Sequence, residues 1–167
     1  MTVPTTAATL EVPDGRLHHE VRGRGPLVVL VGAPMDARSF APLADLLAAD
    51  HTVLTTDPRG IHRSTLRDTD TDSTPEMRAD DLSRLLAHLD AGPATVLGSS
   101  GGAVSALALA QAHPEQLRTV IAHEPRCWSC CPTGSSNGPR PRTWSRRTWR
   151  AMWRVPGRRS WPTPASP

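Results

Sequence analysis

A serine hydroxyl becomes an effective nucleophile when the backbone lifts it clear of its neighbours and donors stand ready for the oxyanion it creates. Gly98-Ser99-Ser100-Gly101-Gly102 has the residues for this. It is a Gly-x-Ser-x-Gly turn centred on Ser100, preceded by the apolar run Ala94-Thr95-Val96-Leu97 and followed by the Ala/Leu-rich stretch 103–112. A strand that enters such a turn and leaves it as a helix holds the serine in a strained conformation with its hydroxyl exposed. Gly98 and Gly102 omit side chains that would collide there. The helix points its first amides at the same spot, so the Gly101 N–H is placed to stabilise an oxyanion formed when Ser100 attacks a carbonyl. Without its flanks the pentapeptide is an ordinary flexible turn; the strand before it and the helix after it favour the nucleophile.

Those flanks belong to a longer alternation. Thr9–Val12 and Leu17–Arg22, separated by Pro13-Asp14-Gly15, read as a hairpin. Leu27–Val31 is a continuous apolar run of the kind buried on both faces of a parallel sheet. The glycines Gly23 and Gly25 precede that strand, whereas a phosphate-binding loop would follow it, so no nucleotide site is expected. The loop 32–36 comes next, then a helix over 39–49 with Phe40, Leu43, Leu46 and Leu47 on one face. The strand Thr52–Thr56 runs into Asp57-Pro58-Arg59-Gly60-Ile61-His62-Arg63-Ser64. Thr74-Pro75 supplies the N-cap and first residue of a helix whose apolar stripe is Met77, Leu82, Leu85, Leu86 and Leu89, stopped at Gly92-Pro93. The elbow helix ends at His113-Pro114, and Arg118–His123 is a last strand. Two antiparallel strands followed by alternating strand and helix predict an α/β fold, a mostly parallel sheet covered on both faces. In such sheets function collects at the carboxyl ends of the strands, where the loops at 32–36, 57–64 and 98–102 and His123-Glu124 all fall.

Composition divides the 167-residue chain at Pro125. All sixteen acidic residues lie at or before Glu124 with ten Arg among them; the other nine Arg follow Pro125, and there is no Lys. Residues 125–167 hold all three Cys and all five Trp but no Leu, Ile, Phe, Asp, Glu or His. No helical or alternating apolar pattern fits them, so residues 1–124 are expected to form the folded domain and 125–167 an irregular tail. Cys127-x-x-Cys130 has no second Cys or His pair at ligand spacing, so no metal site is expected. An apolar run of 18 residues and a basic, apolar leader are both missing, and a cytoplasmic protein without membrane contact is expected.

Taken together, four features resemble the α/β-hydrolase family over roughly positions 8–125: Gly25-Pro26 before an apolar strand, Gly32-Ala33-Pro34 after it, Asp57-Pro58-Arg59-Gly60 with Ser64, and Gly98-Ser99-Ser100-Gly101-Gly102. The resemblance implies a three-layer α/β-hydrolase-like sheet that stops after the strand following the elbow helix. It implies Ser100 as nucleophile in an elbow formed with Gly98, Ser99 and Gly102, and the backbone N–H groups of Ala33 and Gly101 as the oxyanion hole. Val31 stands where many members carry His, and His62 where many carry a second Gly; neither change removes a backbone donor. A serine nucleophile implies acyl transfer to or from esters, lactones, thioesters, amides or peracids, with no cofactor.

The family's general base is a His in a loop far downstream of the nucleophile, oriented by Asp or Glu. After Ser100 only His113 and His123 occur, one at a helix end and one closing a strand. Glu124 matches the place where some members carry their acid. These departures make a weakly active or inactive serine hydrolase the expected reading. Its alternatives are a non-catalytic protein of this fold and nucleic-acid binding through the Arg/Trp-rich tail. The expected partner is a small acyl substrate, not nucleic acid, and the oligomeric state is left open. The tail also has an account in the genetic code: codons for Cys127–Thr133, read two bases later, encode Leu-Glu-Leu-Leu-Pro-Asp. A shifted frame near Arg126 would thus replace an amphipathic continuation, which sequencing of the gene checks.

Overall fold

The computed structural model describes residues 4–68 and 73–125. The expectations for the tail at 125–167, its Cys and Trp residues and the shifted frame lie outside the described residues, apart from Pro125 itself. Among the described residues seven strands form one sheet. Strands β1 (Thr5–Val12) and β2 (Gly15–Arg22) make an antiparallel hairpin in which Val12 faces Gly15 across the turn. Strands β3 (Leu27–Val31), β4 (Thr52–Thr56), β6 (Ala94–Ser99) and β7 (Leu117–His123) are mutually parallel, and the order across the sheet is β1-β2-β4-β3-β6-β7. The short β5 (Thr65–Leu66) pairs with the start of β2. The sheet is mixed but mostly parallel, with helices on both faces.

The central position of β3 explains its uninterrupted apolar sequence, since all five of its residues are buried. Val29 and Val31 point to one face, where they meet Leu54, Val96, Leu82, Leu85, Leu86, Ala106 and Leu109. Val28 and Leu30 point to the other, against Val53, Phe40, Ala44 and Ala48. The first face is covered by α2 (Pro75–Leu89) and α3 (Gly101–Ala112), and the second by α1 (Ala41–Leu47). Each fully buried Leu or Val contributes about 1.5–3 kcal/mol, so the two cores together fix where the strand ends emerge.

Helix α2 begins as its sequence predicts. The Thr74 hydroxyl accepts the Met77 N–H at 3.2 Å, and Pro75 occupies the first turn. It ends at Asp90, which takes the left-handed conformation (φ 45°) two residues before the expected Gly92 stop. Helix α1 departs further from the sequence reading. The segment opens as a tight 3₁₀ turn, Ala37–Phe40, before continuing as α-helix. Phe40, Ala44 and Ala48 then face the sheet, while Leu43 and Leu46 are 38% and 76% exposed. The change from three to 3.6 residues per turn rotates the stripe, and small Ala side chains let the helix lie close.

Strand β1 starts four residues earlier than its pattern indicates, because Thr5–Ala8 pair with β2 while lying exposed. On β7, Ile121 is 46% exposed and Val120 packs partly against the core; β6 is the neighbour of β7 in the sheet order of the described residues. Among the described residues no helix is long and apolar enough to cross a membrane.

Candidate active site

Strand β6 ends at Ser99, α3 begins at Gly101, and Ser100 alone makes the turn with φ 56° and ψ −121°. That conformation is costly for a residue with a Cβ, by roughly 1–3 kcal/mol, and persists where its surroundings hold it. Three backbone bonds do so. The Ser100 N–H donates to the His123 carbonyl at 3.0 Å, the Gly101 N–H to the Ala33 carbonyl at 3.2 Å, and the Ala103 N–H to the Ser100 carbonyl at 3.1 Å. The turn admits no side chain on either flank. A Cβ on Gly98 would strike the Gly102 carbonyl and lie 2.7 Å from the Ala103 Cα; one on Gly102 would strike the Val31 carbonyl. The elbow is therefore pressed against the end of β3.

The loop after β3 carries Ala33, and its 33–34 peptide bond to Pro34 is cis. In this arrangement the Ala33 carbonyl, rather than open space, faces the Gly101 N–H. Asp36 then caps the 3₁₀ turn, accepting from the Ser39 N–H and hydroxyl at 3.3 Å each.

The loop after β4 is organised by Asp57, which is fully buried. Its carboxylate accepts the Ala37 N–H at 2.9 Å, the Arg63 N–H at 3.1 Å, and the Arg63 guanidinium at 2.8 and 3.1 Å; His62 Nδ1 lies 3.2 Å away. Burial alone would raise the Asp57 pKa, but the Arg63 guanidinium and the two amides hold it well below the usual carboxylate range. The same carboxylate raises the Arg63 pKa above its ordinary value. Asp57 thus ties the loops after β3 and β4 together. Arg63 continues the network to Glu20 on β2 at 2.7 Å. His62 sits at positive φ (49°), a backbone conformation that Gly would adopt freely.

Asp36, Asp57 and His62 offer ligand atoms within 4.8 Å of one another. A cation there would have to compete with the Arg63 guanidinium already seated on Asp57, so the group acts as a clasp between loops.

Two further polar links reach the site from α2. Buried Arg59 makes a bidentate pair with buried Asp81, both contacts at 2.7 Å. Arg78 donates to the Ser105 hydroxyl at 2.9 Å, which in turn donates to the Gly101 carbonyl at 3.1 Å. Asp81 and Arg78 were not singled out from sequence. The available signal was that Asp81 and Ser105 interrupt otherwise apolar helix faces.

Among the expected site residues, the structure brings Ser100, Gly101 and Ala33 together, with Gly98, Ser99 and Gly102 building the turn. Glu124 follows β7 immediately, exposed and at φ 45°. Among the described residues no hydrogen bond or ion pair joins Glu124 to a histidine. His113 lies at the far end of α3, near Asp80 (3.6 Å) and Glu115 (3.7 Å). His123 places its Nδ1 3.3 Å from the Ser99 hydroxyl.

A strand-to-helix elbow at the end of a parallel strand, with a tight loop from the neighbouring strand against it, can be compared with known proteins. The alpha/beta hydrolase fold family matches residues 25–154. The chain belongs to that family. It is 46% identical over 118 residues to YraK of Bacillus subtilis, an uncharacterized hydrolase, and 32% identical over 124 residues to the zearalenone hydrolase of Bionectria ochroleuca. These alignments cover 70% and 71% of the chain but 44% and 47% of the two relatives, so the chain spans about half their length. Among solved structures, E-2-(acetamidomethylene)succinate hydrolase is similar at a TM-score of 0.64 and 27% identity, over 71% of this chain and 44% of that one. The thioesterase domain from the curacin biosynthetic pathway shares the fold at a TM-score of 0.66 and 22% identity, over 71% and 44%.

Proposed function

We propose that this chain is a serine hydrolase for small acyl substrates, esters or related compounds, in which Ser100 attacks the acyl carbonyl. The observation that carries the reading is the conformation of Ser100, at positive φ between β6 and α3 and flanked by glycines that no larger residue could replace. The Ala33 and Gly101 N–H groups form the oxyanion hole once the 3.2 Å bond from the Gly101 N–H to the Ala33 carbonyl gives way to the substrate oxygen. Glu124 serves as the acid of the site. Among the described residues no imidazole is hydrogen-bonded to the Ser100 hydroxyl, so the chain is a weakly active form. Loss of a triad member leaves an acceleration of roughly 10³–10⁴ over water. Named substrates of the relatives, zearalenone and the acetamidomethylene succinate, both point to small molecules with a hydrolysable bond.

The test is the steady-state hydrolysis of p-nitrophenyl esters of increasing acyl length by the full chain and by Ser100→Ala. Slow turnover that falls markedly in Ser100→Ala is expected. Turnover that survives Ser100→Ala undiminished would remove Ser100 from the mechanism.

A further inference from the structure

Beside the elbow a second serine meets an imidazole. Strands β6 and β7 run parallel with Ser99 opposite His123, and the Ser99 Oγ lies 3.3 Å from the His123 Nδ1. That is the contact by which a base activates a hydroxyl, at the slightly long distance common before substrate arrives. The pair's register is held from the backbone, because the His123 carbonyl accepts the Ser100 N–H at 3.0 Å. His123 is exposed and Ser99 half-buried, so a substrate can reach them. Ser99 follows Leu97 by two residues on β6 and so shares its face, the one that packs toward Phe40 and Ala44, whereas Ser100 leads into α3 on the other face.

We propose that Ser99 and His123 form a second nucleophile–base pair, a catalytic site for acyl donors with good leaving groups, separate from Ser100. With the His123 proton on Nε2, Nδ1 is the acceptor. The Ser99 oxygen attacks the carbonyl carbon and its proton passes to Nδ1. The bond from carbonyl carbon to leaving oxygen or sulfur then breaks, the electron pair departs with the leaving group, and the imidazolium gives its proton to that leaving group or to water. Water next attacks acyl-Ser99, Nδ1 takes a proton from that water, and the Ser99 oxygen leaves and is reprotonated, releasing the carboxylic acid. Among the described residues no carboxylate is paired with His123. The imidazolium is unsupported, which restricts the site to aryl esters and thioesters whose leaving groups need little help.

An ethyl alkylphosphonofluoridate, followed by peptide mass mapping, tests this on the full chain. The expected result is an adduct on Ser99 that persists in Ser100→Ala, disappears in Ser99→Ala, and forms on the order of 10²-fold more slowly in His123→Gln. In His123→Gly, added imidazole should restore the Ser99 rate, a response that a merely structural role would not give. His123→Gln keeps the backbone carbonyl that holds Ser100, and a thermal melt of each variant checks folding. An adduct on Ser100 alone overturns the pair and leaves the Ser100 reading standing. An adduct on Ser99 alone does the reverse. A Ser99 adduct whose rate ignores His123→Gln and imidazole overturns the role of His123, and no adduct on either serine overturns both.

Discussion

Replacing Asp57 by Asn removes one negative charge from a fully buried position that receives donors from two loops. The retained amide oxygen can still accept the buried Ala37 N–H. The new NH₂ group, however, faces the Arg63 N–H and the Arg63 guanidinium, setting donor against donor. Breaking a buried ion pair by altering one partner costs about 3–5 kcal/mol. Arg63 is one-third exposed and keeps its bond to Glu20, so solvent screens part of that cost and about 2–3 kcal/mol is expected here. In urea, with a slope of about 1.5 kcal/mol per M, the unfolding midpoint should fall by roughly 1.3–2 M. A double-mutant cycle with Arg63→Met should return a coupling above about 1 kcal/mol. The acid side offers an independent check. The folded pKa of Asp57 is depressed, so the unfolded chain binds the extra proton first. Its stabilisation is complete above the ordinary carboxylate value and is lost as pH falls below about 4. Asp57→Asn should therefore flatten acid destabilisation below that pH. A midpoint unchanged within about 0.3 M, or an unchanged acid limb, would refute the idea that Asp57 clasps the two loops.

Three other predictions follow from local features. His19 is 2% exposed with its Nδ1 unpartnered and its ring edge-on to His88, and burial, with help from His88 and His18, lowers its pKa. Its neutral form is the folded one, so stability should fall as pH drops below about 6.5, and His19→Leu should reduce that loss in melts between pH 7 and 5. Asp90→Gly, at an exposed left-handed helix cap, should raise stability by about 0.5 kcal/mol in urea unfolding. Ile121→Lys, on half-exposed β7, should lower concentration-dependent light scattering while shifting the melting temperature by no more than a degree or two.

Much of the framework was readable because its signals are local. Leu27–Val31 and Thr52–Thr56 are strands with the expected ends, and Thr74-Pro75 starts α2, since apolar runs and cap chemistry act over a few residues. The phase of α1 was not readable, because a 3₁₀ entry turns Leu43 and Leu46 outward, a choice made by the fit of Ala44 and Ala48 to the sheet. Strand β5 is two residues long and exists through its pairing with Gly15 and Arg16 far earlier in the chain. The elbow was legible as Gly-x-Ser-x-Gly. Its surroundings were not: the Arg59–Asp81 pair and the Ser99–His123 contact join residues that only the tertiary fold brings together, and the Asp57–Arg63 clasp depends on how the loop after β4 closes against Ala37. The bond between the Gly101 N–H and the Ala33 carbonyl is likewise a tertiary feature, and opening it is the step that makes the proposed hole available.

The central claim, that Ser100 is an acyl-accepting nucleophile at a preformed elbow, is tested most directly by trapping the acyl group. Mixing the full chain with p-nitrophenyl acetate, quenching in acid within the first turnover and mapping the acetylated peptide locates the group. The account predicts acetyl on Ser100, absent in Ser100→Ala and greatly reduced in Gly102→Ala, whose added Cβ would strike the Val31 carbonyl behind the turn. A chain that releases p-nitrophenolate without ever carrying acetyl on Ser100 would contradict it.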